Sequence, residues 1–116
     1  MGGIQKFEDI IAWQKAQDLA IDIYQTFREL KDFSFKDQIC RACVSISNNI
    51  AEGFDRNTDA DFSRFLYIAI SSSSETRSML YLANRLGYID DLKKEQFVKQ
   101  SNEVSAIIRG LIKSLN

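Results

Sequence analysis

Histidine and proline are absent from the 116 residues, and glycine (five), cysteine (two), methionine (two) and tryptophan (one) are scarce. Without histidine there can be no Ser-His-Asp or Cys-His catalysis, no histidine-containing zinc site and no Glu-x-x-His di-iron site of the helical-bundle kind. Without proline, no helix is obliged to kink. An excess of one charge sign is also missing. Lys+Arg (15) and Asp+Glu (16) leave a net charge of −1, not the basic surplus of a dedicated, sequence-independent nucleic-acid binder. Apolar runs fall far short of the roughly 20 residues that a membrane span needs. Met1-Gly2-Gly3 leads into charged and aromatic sequence rather than a signal peptide. The expectation is a soluble, cytoplasmic protein with no membrane partner. With 45% apolar and 27% charged residues, the chain has an ordinary globular balance. Its length argues for one domain over residues 1–116, large enough to bury about two-thirds of its unfolded surface.

Cys40 and Cys43 stand three apart in an apolar run. A Cys-x-x-Cys pair can be redox-active or half a zinc site, but no second ligand pair accompanies it, so the thiols read as small buried hydrophobes. No metal or cofactor is expected.

The hydrophobic period gives four helices and no strand. In the first, about residues 9–30, Ile10, Trp13, Ala16, Ala20, Ile23, Phe27 and Leu30 recur at spacings of three and four, with Glu8 and Asp9 at its positive end. The second runs from about Phe35 to Ala51, with Ser34 as its expected N-cap and Gly53 as its expected terminator; Ile39, Cys43, Ile46 and Ile50 form its stripe. The third, about Asp59 to Leu86, starts at a Thr58-x-x-Asp61 box and stops at Gly87. Phe62, Leu66, Ala69, Ser73, Thr76, Leu80 and Ala83 alternate four-three along it, flanked by Phe65, Ser72, Met79 and Leu86. The fourth, about Asp91 to Leu115, carries Phe97, Ser101, Val104, Ile108, Leu111 and Leu115. Such alternation suits helices packed about 20° from antiparallel. Short connections then make an all-α, up-down-up-down antiparallel four-helix bundle the simplest fold. Ser71–Ser74, mid-helix, read as small side chains that let a neighbour approach closely.

A polar stripe accompanies the apolar one on the second helix. Ser45, Asn48/Asn49 and Glu52 recur at three and four, while Glu75 and Arg77 interrupt the third helix. Ser45, Asn49, Glu52, Glu75 and Arg77 form an inter-helix network on one reading, a ligand site on a second and a solvated face on a third. Polar groups near a seam cost about 1–3 kcal/mol each when unpaired, which favours pairing.

Several of these segments carry a family resemblance. Phe7-Glu8-Asp9-Ile10-x-x-Trp13-Gln14-Lys15-Ala16, then Arg41-Ala42-Cys43-Val44-Ser45-Ile46-Ser47-Asn48-Asn49-Ile50-Ala51-Glu52-Gly53, then Phe62-x-Arg64-Phe65-Leu66-Tyr67-Ile68-Ala69, Ser72–Glu75, Arg85-Leu86-Gly87-Tyr88 and Leu111–Leu115 resemble, in order, the 23S rRNA intervening-sequence (S23) proteins. The signature departs at Ser47-Asn48, where relatives have Pro-Ser; a backbone donor restored at Ser47 should let the second helix run straighter. The first connection is also shorter than in relatives and lacks their Pro- and Gly-containing stretch. The resemblance implies a four-helix bundle that forms a ring-shaped homopentamer in bacteria. It also implies kinship with basic accessory proteins that bind nucleic acid, from which this chain's pI near 5.4 departs.

Three functions follow for weighing. The first is a non-enzymatic oligomeric scaffold for RNA or a ribonucleoprotein partner. At the bundle end holding the first and third connections, eight cations oppose six acids; Lys36, Arg41, Lys93 and Lys94 are the candidate phosphate contacts. The second is a protein–protein adaptor without nucleic acid. The third, an enzyme, is disfavoured: Glu52 and Glu75 are the available carboxylate pair, and Arg41 and Arg77 are expected to neutralise them. Self-association is expected because Leu19, Tyr67, Ile68, Ile70 and Leu82 fall outside the core stripes.

Overall fold

Three short polar side chains decide where three helices begin. In the computed structural model, which describes residues 3–116, Asp32, Thr58 and Asp90 accept N-cap hydrogen bonds from the backbone N–H of Phe35 (3.2 Å), Asp61 (3.1 Å) and Lys93 (2.8 Å). The helices are α1 (Ile11–Thr26), α2 (Phe33–Phe54), α3 (Asp59–Arg85) and α4 (Asp91–Leu115), with a 3-10 turn at Phe7–Asp9 and no strand among the described residues. α3 ends on a Schellman turn. Gly87 takes φ +79°, so Tyr88 N–H reaches Ala83 O (2.8 Å) and Gly87 N–H reaches Asn84 O (3.0 Å).

The ends of the first two helices differ from the sequence reading. α1 is shorter than residues 9–30, because Ile10 is extended (φ −79°, ψ 120°) and Phe7–Asp9 coil separately before it. The N-cap of α2 is Asp32 and not Ser34, since the longer Asp side chain captures the Phe35 N–H and helix geometry starts at Phe33. Gly53 does not terminate α2. It lies inside the last turn, buried, and is small for a packing reason given below.

Each helix packs on its chain neighbours, and α4 closes onto α1. Contacts run in opposite order along every pair. Phe27–Phe35 and Gln17–Ser47 join α1 to α2, Ser45–Ser72 and Phe54–Phe62 join α2 to α3, and Ser73–Ser105 and Asn84–Asp91 join α3 to α4. Gln100–Asp22 and Lys15–Glu103 complete the circuit. The four helices are thus antiparallel neighbours around a bundle 45 Å long.

The core follows most of the expected period, but Trp13, Leu30, Leu111 and Leu115 are only half-buried, and Ile112 is the buried residue in the last turns of α4. Ile39, Cys43, Ile46 and Ile50 of α2, all seven stripe residues of α3, and Phe97, Ser101, Val104 and Ile108 of α4 are buried. Leu19 is buried too, against expectation: a corner helix faces both α2 and α4, so its apolar arc is wider than one stripe. Leu86 departs the other way and is 49% exposed at the end of α3. α2 is unbroken through Ser47, whose Oγ accepts from Gln17 Nε2 at 3.0 Å and donates to Val44 O. This tie to α1 is unavailable to a proline.

The two connections at one end are bonded together. Tyr88 Oη donates to Asp32 Oδ2 at 2.7 Å. That bond, with the Phe35 N–H, holds the Asp32 carboxyl below its usual range, and the same bond raises the Tyr88 phenol. A depressed carboxylate gives stability that is present above its unfolded pKa near 4 and lost as pH falls through the folded value; a raised phenol gives stability that is lost as pH rises above 10. Tyr88→Phe should therefore lower the melting temperature at pH 7, by a margin that shrinks as pH falls through the depressed folded pKa of Asp32. Thermal melts of both proteins from pH 2.5 to 8 would check this, and parallel profiles would refute it.

Candidate functional site

A polar ladder built from small hydroxyls crosses the bundle interior. Ser45 Oγ and Ser72 Oγ meet at 2.9 Å between α2 and α3, and Asn49 Nδ2 donates to Ser45 O (2.8 Å) and Ser45 Oγ (2.9 Å). Ser105 Oγ bonds Ser73 Oγ at 2.8 Å, and Ser73 Oγ donates to Ser101 O at 3.1 Å. Thr76 and Ser101 close onto carbonyls of their own helices. No buried side-chain N or O atom is left without a partner among the described residues, so this ladder offers a ligand no open group.

The expected charged half of the network is not inside. Glu52 is exposed and pairs with Arg56 at 3.2 Å, one turn along α2 and its exit, rather than with Arg41. Arg77 donates to Asn102 Oδ1 of α4 at 2.6 Å rather than pairing with a glutamate, while Glu75 and Arg41 are solvent-exposed. Glu52 and Glu75 do not form a buried carboxylate pair. For Glu52 the reason is local: a partner four residues on, just past the end of α2, is reached without desolvating either charge.

The four candidate phosphate contacts stand in separate settings. Lys36 donates to Arg28 O at 3.2 Å and lies over the Phe33 ring. Arg41 is exposed on α2. Lys93, over Phe97, lines a cleft of about 390 Å³ with Asp22, Gln25 and Gln100 on the α1 side of α4. Lys94 turns the other way, 5.2 Å from the Tyr81 ring centroid of α3 and 2.8 Å from Glu95, which raises its pKa. Lys93 and Lys94 therefore serve different faces.

A second cluster was not legible as one. At the far end of α3, Tyr67 is 58% exposed and lines a cleft of about 560 Å³ with Ile70, Arg109, Ile112 and Lys113. The contributing residues lie some 40 positions apart, and only the α3–α4 register brings them together.

The two cysteines are free and buried. Burial pushes the Cys43 thiol up to about 12 and raises Cys40 as well, so both are protonated and unreactive at neutral pH. Among the described residues no group of three or more Cys, Asp or Glu is placed to hold a metal, and no helix is long and apolar enough to cross a membrane.

Comparison with known proteins rests on this architecture. A crystal structure of a protein of unknown function from the S23 ribosomal protein family of Bacteroides thetaiotaomicron VPI-5482 superposes with a TM-score of 0.82 at 31% sequence identity, over 89% of this chain and 99% of that one. No curated protein matches the chain. The family model for the 23S rRNA-intervening sequence protein matches residues 8–110, from the 3-10 turn to the last turns of α4. The chain belongs to the 23S rRNA-intervening sequence protein family.

Proposed function

We propose that this protein is a non-enzymatic, self-associating scaffold whose partner is RNA or a ribonucleoprotein. The observation that carries the self-association is an apolar surface the bundle does not use. Ile11, Ile21 and Tyr24 are exposed along α1, and Ile68, Leu82 and Leu86 along the α2 side of α3. Two unlike patches on different helices suit a head-to-tail contact, the kind that closes a ring when the rotation between copies allows. The family's likeness to ring-forming relatives makes a homopentamer the favoured size.

Light scattering at micromolar concentration is expected to give roughly 66 kDa for five copies of the 13.3 kDa chain. Ile68→Glu with Leu82→Glu should shift this toward the single-chain mass without loss of helix content. A wild-type monomer would overturn the scaffold reading. The adaptor alternative is favoured by the near-balanced charge and is separated by nuclease treatment before a pull-down: partners held through RNA are lost, and partners held directly stay.

A further inference from the structure

The outer seam between α3 and α4 alternates aromatic rings with cations. Tyr81 is 48% exposed beneath Lys94 at the end carrying the Asp32–Tyr88 tie. Tyr67 stands with Arg109 and Lys113 at the opposite end, and Arg77 lies between, fixed to Asn102 of α4. Tyr67 and Tyr81 are fourteen residues apart, almost four turns, which puts both on one flank of α3 about 21 Å apart. Among the described residues no carboxylate lies within 4 Å of Arg77, Arg109 or Lys113. Glu95 pairs with Lys94, and Asp91, which accepts from the neutral Asn84 amide, keeps its charge near the same lysine.

We infer that this seam is the path of a single-stranded RNA, with Tyr67 and Tyr81 as stacking platforms and Arg77, Lys94, Arg109 and Lys113 as phosphate contacts. The inference rests on RNA being the partner, and it moves the main contacts away from Lys36, Arg41 and Lys93. Exposed rings with cations beside them suit bases and phosphates in succession, and neither group reads sequence. An amphipathic helix would need a continuous apolar stripe instead, and the middle of the seam is polar at Ser74, Arg77 and Asn102. The apolar residues assigned to self-association lie on α1 and at Ile68, Leu82 and Leu86, and Ile68 shares a surface cleft with Tyr67, so the two surfaces adjoin at that end of α3.

The test is fluorescence anisotropy of a labelled 12-mer oligouridylate against the intact oligomer at several salt concentrations, with light scattering to confirm that each variant assembles. Tyr67→Leu and Tyr81→Leu should each weaken binding roughly 5-fold or more, with Tyr67→Phe close to wild type. Arg109→Gln with Lys113→Gln should reduce the log–log salt slope by about 1.4, two phosphates at about 0.7 each. If the wild type binds but only Arg41→Gln with Lys93→Gln abolishes binding, RNA remains the partner and the seam is refuted. If the wild type binds no RNA at low salt, the RNA reading and the seam fall together. Binding of an acidic Glu/Leu peptide in place of RNA, lost in the same seam variants, would reassign the surface to a protein partner and overturn the inference.

Discussion

Replacing Gly53 by alanine is expected to destabilise the protein by about 1–2 kcal/mol, and by valine by about 3 kcal/mol, although glycine is a poor helix residue. A Cβ at this position would stand 2.5 Å from Phe65 Cβ and 3.1 Å from Phe62 Cδ1. Phe65 Cβ is fixed to its own backbone and cannot swing aside, so the clash must be relieved by separating α2 from α3. That separation disturbs Phe54 on Phe62 and the Phe65 ring, which lies between the Arg56 and Arg64 guanidiniums at 4.8 and 4.6 Å. Removing a helical glycine returns about 1 kcal/mol, too little to offset the overpacking. Gly110 of α4 is the control: no atom would meet a Cβ there within 4 Å, so Gly110→Ala should gain about 0.5–1 kcal/mol. Equilibrium urea unfolding would show midpoints moving in opposite directions. Two increases would mean that α2 and α3 do not approach closely at Gly53.

Gly53 also marks where sequence reasoning reaches its limit. A glycine after a helical stripe reads equally as a left-handed terminator or as a close-contact residue, and only the neighbouring helix separates the two. Gly87 is the terminator that Gly53 is not, with φ +79° and both Schellman bonds formed. α3 and α4 could be placed almost to the residue because Thr58 and Asp90 are true caps and the four-three period is unbroken. α1 was placed poorly for the converse reason. Ile10 caps it with no side-chain bond, and Phe27 and Leu30 extend the apolar period past the point where the helix stops at Thr26. Leu19 lies outside the single apolar stripe of the first helix yet is buried, because α1 packs against both α2 and α4.

Polar residues were legible in proportion to how short their side chains are. Ser45 and Ser73 bond across helices, since small hydroxyls in an apolar run have little else to bond, whereas Asn49 bonds back to Ser45 of its own helix. The charge pairs expected of Glu52 and Glu75 with Arg41 and Arg77 are not formed. A long charged side chain can reach water from most helix positions, so its partner depends on rotamer and register more than on face. The α3–α4 seam was invisible for the same reason. Tyr67 stood out only as an exposed aromatic, and nothing in spacing alone assigns Arg109 and Lys113 to its flank.

The serine tract gives the second large effect. Ser73 is 1% exposed, and its Oγ donates to Ser101 O and accepts from Ser105 Oγ, so α4 approaches α3 over a side chain of two heavy atoms. Ser73→Val inserts an extra methyl into that contact and replaces the hydroxyl with another, which costs about 1–3 kcal/mol in overpacking. It also removes both hydrogen bonds and leaves Ser105 to find a carbonyl on its own helix, about 1 kcal/mol more. The expected sum is about 2–4 kcal/mol, a fall in melting temperature of roughly 4 °C per kcal/mol for a domain of this size. Ser74, the next residue, is exposed, and Ser74→Val should stay within about 0.5 kcal/mol of wild type. Thermal and urea melts of the two variants side by side decide the matter. Equal stability would show that the tract is not a packing surface, whereas a loss confined to Ser73→Val ties the tract to the approach of α4 and so to the geometry of the whole seam.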